Sequence, residues 1–198
     1  MKIIIVGASG TIGKTIASAL EKDHEVIKVG SKSGDIQADI TSPESIENMF
    51  KQVGAFDALV SAAGDAYFGP WAKMTDTEFR IGINGKLMGQ INLVLIGQHY
   101  INPKGSFTLM AGSLAHDPVL AGSNASTVNG AIESFVRAAA IELTDGLRIN
   151  AVSPTVVEDS PGYFPYFPGH EPVSMKRVEY AYLKSILGSG TGKVITVV

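Results

Sequence analysis

The chain has 198 residues, of which 45% are hydrophobic and 18% charged, with a net charge of −3. A single domain over residues 1–198 is expected, because a chain of this length can bury a substantial core. No membrane span is expected, because no apolar run is long enough to cross a bilayer. The scattered lysines and arginines exclude a basic surface for nucleic acids. The absence of cysteine excludes disulfides, thiolate zinc sites and thiol nucleophiles, and favours a cytoplasmic protein.

The first predicted strand and helix are joined by a turn with three glycines at a spacing of three. Residues 3–6 form an apolar run typical of a strand buried on both faces, and residues 11–21 are predicted to be a helix. This turn lets the backbone approach a pyrophosphate, and the free N–H groups at the helix start hold the anion. The alternative is a purely structural turn. The expected dinucleotide contacts are Gly7, Ser9, Gly10, Thr11 and Ile12.

The loop after the second predicted strand, residues 25–29, indicates which dinucleotide is bound. In dinucleotide folds this loop meets the adenosine ribose, where a carboxylate binds the 2′-hydroxyl of NAD and repels the 2′-phosphate of NADP. The loop has one cation, two hydroxyls and no carboxylate before Asp35: Lys32, Ser31 and Ser33. This composition favours NADP(H), and a solvated polar loop is the alternative.

The rest of the chain repeats the alternation of strands and helices. Asp39 and Ile40 follow a short third strand, where an adenine is expected. Ser42 is predicted to cap the next helix, with Pro43 in its first turn. The predicted strands are 36–38, 56–61, 105–111, 147–152 and 193–198, and the predicted helices are 43–53, 76–100, 124–143 and 173–187.

This order predicts a Rossmann-type α/β fold, a doubly wound parallel sheet of seven strands with helices on both faces. Ligands bind at the carboxyl ends of such strands, so the residues at these ends should form one crevice: Gly7, Ser31, Ala62, Ser113 and Pro154. Residues 155–172 are rich in proline and aromatic residues, without a helical or strand period, which is typical of a lid or binding loop. Residues 155–187 are therefore expected to form a substrate lid loop and helix.

Several of these segments resemble the short-chain dehydrogenase/reductase family, and the resemblance covers essentially the whole chain. The glycine turn at residues 7–13 and Asp39 after the third strand are similar to the family pattern. Ser-Ala-Ala-Gly at residues 61–64 is similar to the family's Asn-Ala-Ala-Gly. Asn-Ala-Val-Ser-Pro at residues 150–154 is similar to its Asn-x-Val-x-Pro-Gly, with Thr155 for the final Gly.

The resemblance implies hydride transfer between NADP(H) and a small carbonyl or an activated double bond. Ser113 matches the serine that polarises the substrate carbonyl. The family also forms homodimers or homotetramers through its two long helices, which correspond here to residues around 88–100 and 133–140. The implied cofactor contacts also include the small residues after the fourth strand and the nicotinamide-facing loop: Ala62, Ala63, Gly64, Pro154, Val156 and Val157.

Two departures from the family pattern fall on catalytic positions. Ala125 and Asn129 stand where the family has the Tyr and Lys of Tyr-x-x-x-Lys, which transfer the proton and hold the nicotinamide ribose. Lys86 stands where the family has a catalytic Asn, although Asn84 lies only two residues away and leaves a second frame open. We hypothesise that Lys86 and Asn129 exchange roles and keep a cation and an amide beside the ribose. The alternative is that Lys86 is a surface lysine.

Several groups are candidates for the missing proton donor. His116 lies three residues after Ser113 and has a suitable pKa as a free side chain. Tyr163 and Tyr166 belong to the predicted lid, and Lys86 would serve if burial lowered its pKa. The alternatives are an exposed loop histidine and aromatic residues that only close the site.

Two further sites are not expected, and a second function remains open. The four histidines lack the paired spacing of a zinc site, and Ser113 lacks the Gly-x-Ser-x-Gly context of a hydrolase.

A dinucleotide-binding regulator or scaffold without turnover is the alternative to an enzyme. The missing Tyr and Lys favour the regulator, whereas Ser113 and the aromatic lid favour the enzyme.

Overall fold

Seven parallel strands form one sheet in the order β3-β2-β1-β4-β5-β6-β7. The computed structural model describes residues 1–198. The strand order reverses between β1 and β4, which confirms the predicted doubly wound sheet and places a crevice at that switch point. The strands are β1 (Lys2–Val6), β2 (Glu25–Gly30), β3 (Ile36–Gln37), β4 (Phe56–Ser61), β5 (Ile101–Met110), β6 (Arg148–Pro154) and β7 (Val194–Val197).

Helices cover both faces of the sheet and bury a separate hydrophobic layer on each. Side chains of a strand alternate between faces, so Ile4 and Val6 pack into one layer whereas Ile3 and Ile5 pack into the other. This explains the uninterrupted apolar run of β1. None of the helices is both long and apolar enough to cross a membrane. The helices are α1 (Thr11–Leu20), α2 (Pro43–Val53), α3 (Asp76–Gly82), α4 (Gly89–Gly97), α5 (Ser123–Glu142) and α6 (Met175–Leu187).

The starts of α2 and α3 follow local capping rules. The Ser42 side chain accepts a hydrogen bond from the Ser45 amide at 3.2 Å, and Pro43 occupies the first turn of α2, as predicted. A capping box between Thr75 and Glu78 begins α3. These contacts satisfy amide groups that the first turn of each helix leaves without a partner.

The long helix predicted over 76–100 forms from Asp76 to Gly97, but it is not α-helical throughout. Residues Ile83–Met88 form a π-helical segment between α3 and α4, and α4 ends at Gly97. A π-helical turn holds more residues than an α-helical turn, so it changes which side chains face the sheet. Lys86, in the middle of this segment, is buried as a result.

Other boundaries differ from the predicted ones, most of them by one or two residues. Strand β5 begins at Ile101, four residues before its predicted start, and β6 continues through Pro154. The segment 155–172 is not wholly irregular, because it contains a 3₁₀ helix at Pro161–Tyr166. A bridge between Val157 and Val173 ties both ends of this segment together.

Candidate active site

Two adjoining cavities lie at the carboxyl edge of the sheet. A groove of about 500 Å³ follows the ends of β1 to β4, and we call it the dinucleotide groove. A smaller cavity of about 230 Å³, the reaction cavity, lies beside the ends of β5 and β6. Gly64, Asp65 and Tyr163 line both, so the two cavities meet there. The five strand-end residues predicted to form one crevice line these two adjoining cavities instead: Gly7, Ser31 and Ala62 line the groove, and Ser113 and Pro154 line the reaction cavity.

The glycine turn forms one end of the dinucleotide groove. Gly7 has a φ of +84°, and a Cβ there would lie 2.6 Å from the Ala62 carbonyl oxygen. A Cβ on Gly13 would lie 2.1 Å from the Gly7 carbonyl oxygen. No side chain caps the N-terminus of α1, so its first amide groups are available to an anion.

The predicted contacts in this turn separate into three groups. Gly7, Ser9 and Gly10 line the dinucleotide groove, whereas Ile12 lines the reaction cavity. Thr11, the first residue of α1, is exposed and lines neither. The turn thus presents backbone rather than charged side chains to a ligand.

The adenosine end of the groove is only partly formed by the residues that the sequence indicates. Ser31 lines the groove, but Lys32 and Ser33 are exposed in the turn beyond it and do not. Asp39 and Ile40 line the groove together with Thr41, which sequence reasoning missed.

The Asp39 carboxylate is held by its neighbour Thr41. Its Oδ1 accepts from the Thr41 amide at 2.9 Å and from the Thr41 hydroxyl at 2.7 Å. These two hydrogen bonds lower the pKa of Asp39, so the groove contains a carboxylate that stays ionised at neutral pH. The small residues after β4 complete this wall, as predicted: Ala62, Ala63 and Gly64.

Ser113 and Asn129 present buried polar atoms to the reaction cavity. The Ser113 hydroxyl, at the start of a 3₁₀ turn after β5, is buried without a hydrogen-bond partner. Asn129 Oδ1, on α5, is also without one. Asn129 lies so close to Gly112 that a Cβ on this glycine would be 2.7 Å from Asn129 Nδ2. Buried polar atoms are rarely left unpaired in native proteins, so these atoms are available for a ligand.

Lys86 contributes a buried amine to the same cavity. The residue is 8% exposed, and its Nζ donates a 3.1 Å hydrogen bond to the Ala111 carbonyl oxygen. No carboxylate forms an ion pair with it, and burial lowers the pKa of Lys86 to about 8. Lys86 is therefore not the surface lysine of the alternative interpretation.

The position matched to the family tyrosine also faces the reaction cavity. Ala125 lines the cavity and is buried, so the chain has a methyl group where the resemblance expects a phenol. Asn84, which left a second frame open for Lys86, is exposed and lines neither cavity. The predicted nicotinamide-facing residues Pro154, Val156 and Val157 lie on the cavity wall.

The structure does not place His116 in the reaction cavity. Its side chain is 58% exposed, and its Nε2 lies 2.6 Å from Oε2 of Glu133. Glu133 is 1% exposed and also accepts from the Ser153 hydroxyl at 3.0 Å. His116 and His170 line a separate polar cavity. Ser113 and Thr155 are the two residues that line both this cavity and the reaction cavity. Its predicted role as proton donor is therefore not supported.

Aromatic residues close the outer side of the reaction cavity. Tyr163 and Tyr166 pack against Phe68, with ring centroids 5.8 and 5.1 Å apart. Tyr163 and Phe68 line the cavity, whereas Tyr166 does not. Sequence reasoning missed Phe68 and Asp65, although the irregular aromatic segment after β4 was a signal that could have found them.

Comparisons with known proteins agree with this geometry. A family model described as enoyl-(acyl carrier protein) reductase matches residues 7–169. Hydroxynaphthalene reductase arp2 of Aspergillus fumigatus is 29% identical over 159 residues, which are 77% of this chain and 58% of that protein. A short chain dehydrogenase of Claviceps purpurea is 30% identical over 146 residues, 71% of this chain and 55% of that protein. The chain thus spans little more than half the length of these two relatives.

Two solved structures match over the whole chain. The protein lin1944 from Listeria innocua is 46% identical with a TM-score of 0.98, and the match covers 100% of both chains. A small-chain dehydrogenase in complex with NADPH is 27% identical with a TM-score of 0.88, and the match covers 100% of this chain and 96% of that one. The family model covers most of the chain, and the fold and the glycine turn agree with it, so this protein belongs to the short-chain dehydrogenase/reductase family of oxidoreductases.

Proposed function

We propose that this protein is an NADP(H)-dependent oxidoreductase that transfers a hydride to or from a small carbonyl compound or an activated double bond. The continuity of the two cavities is the observation that carries the proposal. A dinucleotide lying along the larger groove would reach the smaller cavity at Gly64, Asp65 and Tyr163. The Ser113 hydroxyl, unpartnered and buried, lies on the wall of that smaller cavity.

The residues of the groove fit a dinucleotide. The uncapped start of α1 would bind the pyrophosphate, and Ser31 with the neighbouring Lys32 would bind the 2′-phosphate of NADP(H). Pro154, Val156 and Val157 would flank the nicotinamide, which supplies or accepts the hydride when the cofactor is bound. A related solved structure contains NADPH, which supports the choice of cofactor.

The walls of the reaction cavity favour a substrate with an apolar body. Phe68, Leu114 and Phe167 contribute apolar surface, and Lys86 is the one cationic residue on the wall. Apart from Lys86, the cavity has no cation that could bind a carboxylate or a phosphate group of a substrate. An uncharged carbonyl compound therefore fits this cavity best. Ser113 would donate a hydrogen bond to the carbonyl oxygen.

The proposed enzyme is atypical because it lacks the Tyr-x-x-x-Lys pair. Ala125 and Asn129 occupy those positions, and Lys86 occupies the position of the family's catalytic Asn. Lys86 and Asn129 line the same cavity, which supports the hypothesis that a cation and an amide have exchanged places beside the nicotinamide ribose.

Two further features belong to this proposal. The single domain would use residues 155–187 to cover the substrate, because Tyr163 and Phe167 line the reaction cavity from this segment. A homodimer or homotetramer would form through the two long helical regions. Exposed apolar side chains on the first of them, Met88 and Leu95, support such an interface.

The alternative is a dinucleotide-binding regulator or scaffold without turnover, which the methyl group at Ala125 favours. Titration of the purified protein with NADPH and NADH, followed by fluorescence, is the experiment that tests the proposed function first. We expect tight binding of NADPH and weaker binding of NADH, followed by reduction of some compounds in a carbonyl panel. Binding of neither dinucleotide would overturn the proposal, and binding without any turnover would favour the regulator.

A further inference from the structure

Reduction of a carbonyl needs a proton as well as a hydride, and this chain lacks the family tyrosine that would supply it. A serine hydroxyl alone is a poor acid, so Ser113 can polarise the carbonyl but needs a partner that gives up a proton. Three titratable side chains line the reaction cavity: Lys86, Asp65 and Tyr163. Asp65 is exposed and Tyr163 is 51% exposed, so both lie at the mouth. Lys86 is the one that is buried inside.

We propose that Lys86 is the general acid of this enzyme and protonates the substrate oxygen that Ser113 polarises. The proposal rests on the proposed reductase function. Its geometric basis is that Lys86 Nζ is buried in the same cavity as the unpartnered Ser113 hydroxyl, with its only hydrogen bond to the Ala111 carbonyl oxygen. Two of the three N–H groups of the ammonium group are therefore free for a substrate.

NADPH, when held against Pro154, Val156 and Val157, would supply the hydride for the carbonyl carbon and would be oxidised to NADP⁺ as the substrate is reduced. The π bond of the carbonyl breaks, and the oxygen takes one proton from the Lys86 ammonium group. Lys86 becomes a neutral amine and regains a proton from solvent through the mouth of the cavity, beside Asp65 and Tyr163.

The surroundings of Lys86 suit this task. The cavity wall around it carries no second cation, and Asp65 at the mouth is its one carboxylate. Without an ion pair, the charged amine is less stable, and the pKa of about 8 lies close to a working pH. The amine can thus release a proton during reduction and accept one during oxidation.

The first test measures the amine itself, without a cofactor or a substrate. The pH dependence of Lys86 acetylation by acetic anhydride, followed by peptide mass spectrometry, reports the titration of this one side chain. We expect half-maximal reactivity near pH 8 in the wild-type protein. A midpoint above about pH 10, the value of an unperturbed lysine, would overturn the proposal.

The second test uses Lys86→Met and Lys86→Arg, with Lys73→Met at an exposed lysine as the matched control. The probes are benzaldehyde, cyclohexanone and 9,10-phenanthrenequinone. We expect both Lys86 variants still to bind NADPH, Lys86→Met more weakly because it loses the cation beside the ribose, and both to lose about a hundredfold or more in kcat for reduction. The wild-type reduction rate should fall above about pH 8, and the variants should lose this dependence. Lys73→Met should match wild type throughout.

The arginine variant separates proton transfer from a purely electrostatic role, because arginine keeps the charge but does not give up a proton. Full activity of Lys86→Arg, or an unchanged pH profile in Lys86→Met, would overturn this proposal and leave the proposed function intact. A wild-type protein that binds NADPH but reduces none of the probes would overturn the reductase and the acid together. A wild-type protein that does not bind NADPH would overturn the proposed function at its first step.

Discussion

The dinucleotide groove and the reaction cavity are built from different parts of the chain. The groove is formed mostly by backbone: a glycine turn, the start of α1 and small residues after β4. The reaction cavity depends on side chains, above all Ser113, Lys86 and Asn129. A backbone site tolerates few substitutions, since almost any added atom clashes. A side-chain site can change its chemistry while the fold stays the same, and the proposed exchange between Lys86 and Asn129 would be such a change.

This comparison predicts that substitutions in the two regions have different consequences. In the groove, folding and dinucleotide binding should fail together. In the cavity, catalysis should fail while folding and dinucleotide binding persist.

The largest effect is expected from Gly13→Ala in the glycine turn. The added methyl group would lie 2.1 Å from the Gly7 carbonyl oxygen, so the turn must move. We expect the free energy of unfolding to fall by about 3 kcal/mol or more and NADPH binding to be lost. Urea unfolding and fluorescence titration measure the two effects.

Gly130→Ala in α5 is the matched control for this substitution, because a Cβ there has nothing within 4 Å. It should raise the free energy of unfolding by about 0.5–1 kcal/mol, since alanine favours a helix more than glycine does. Equal stability of the two variants would contradict a groove built by close backbone contacts.

The next largest effect is expected from Ser113→Ala. Its hydroxyl has no partner in the protein, so its removal should leave the melting temperature and NADPH binding unchanged. Reduction of the carbonyl probes should slow by about a hundredfold, because the carbonyl loses a positioned donor. Ser106→Ala, which removes another buried and unpartnered hydroxyl away from both cavities, should keep full activity.

Lys86→Met should make the protein more stable while it inactivates it. The pKa of Lys86 is lowered from 10.5 to about 8, so the buried charge destabilises the folded state below pH 8. We expect the variant to gain about 2 kcal/mol in unfolding free energy at pH 7, after the loss of the bond to Ala111 is subtracted.

This gain should shrink as the pH rises from 8 to about 10.5, because the wild-type amine becomes neutral in the folded state before it does in the unfolded chain. Urea unfolding of both proteins at pH 7 and pH 10 measures the difference. A gain that is independent of pH would show that the pKa of Lys86 is the same in the folded protein and in the unfolded chain, so that burial does not lower it.

The smallest effect is expected from Lys32→Ala. Lys32 is exposed beyond Ser31, so it would contact a 2′-phosphate in water rather than in a buried site. NADPH affinity should fall about tenfold, and NADH affinity should not change. Lys22→Ala, at an exposed lysine after α1, is the control. An equal loss for both dinucleotides would mean that the cation does not recognise the phosphate.

Most of the fold was predictable because its signals are local. The apolar run of β1, the glycines after it and the Ser42 cap each depend on residues a few positions apart. The small residues after β4 and the loop at Pro154 were likewise predicted to face a ligand, and they do line the cavities.

The remaining features depend on contacts that are distant in sequence. The His116 side chain contacts Glu133 on α5, which is 17 residues away in the sequence. No local pattern around His116 indicates this partner. The early start of β5 reflects the pairing of Ile101 with Phe56 across an irregular register. Gly89 of the predicted long helix lies against Ile40, which is distant in sequence, and no local pattern indicated the π-helical segment before it.

The π-helical segment Ile83–Met88 carries Lys86, whose side chain is the only buried amine on the wall of the reaction cavity. Because such a segment differs from an α-helix by one inserted residue, a single-codon deletion within it would join α3 and α4 as one regular helix. Residues on either side would rotate past one another by about 100°, one step of an α-helix, and Lys86 would leave the cavity. The position of this amine therefore depends on the length of one short segment, and not on the sheet or the glycine turn.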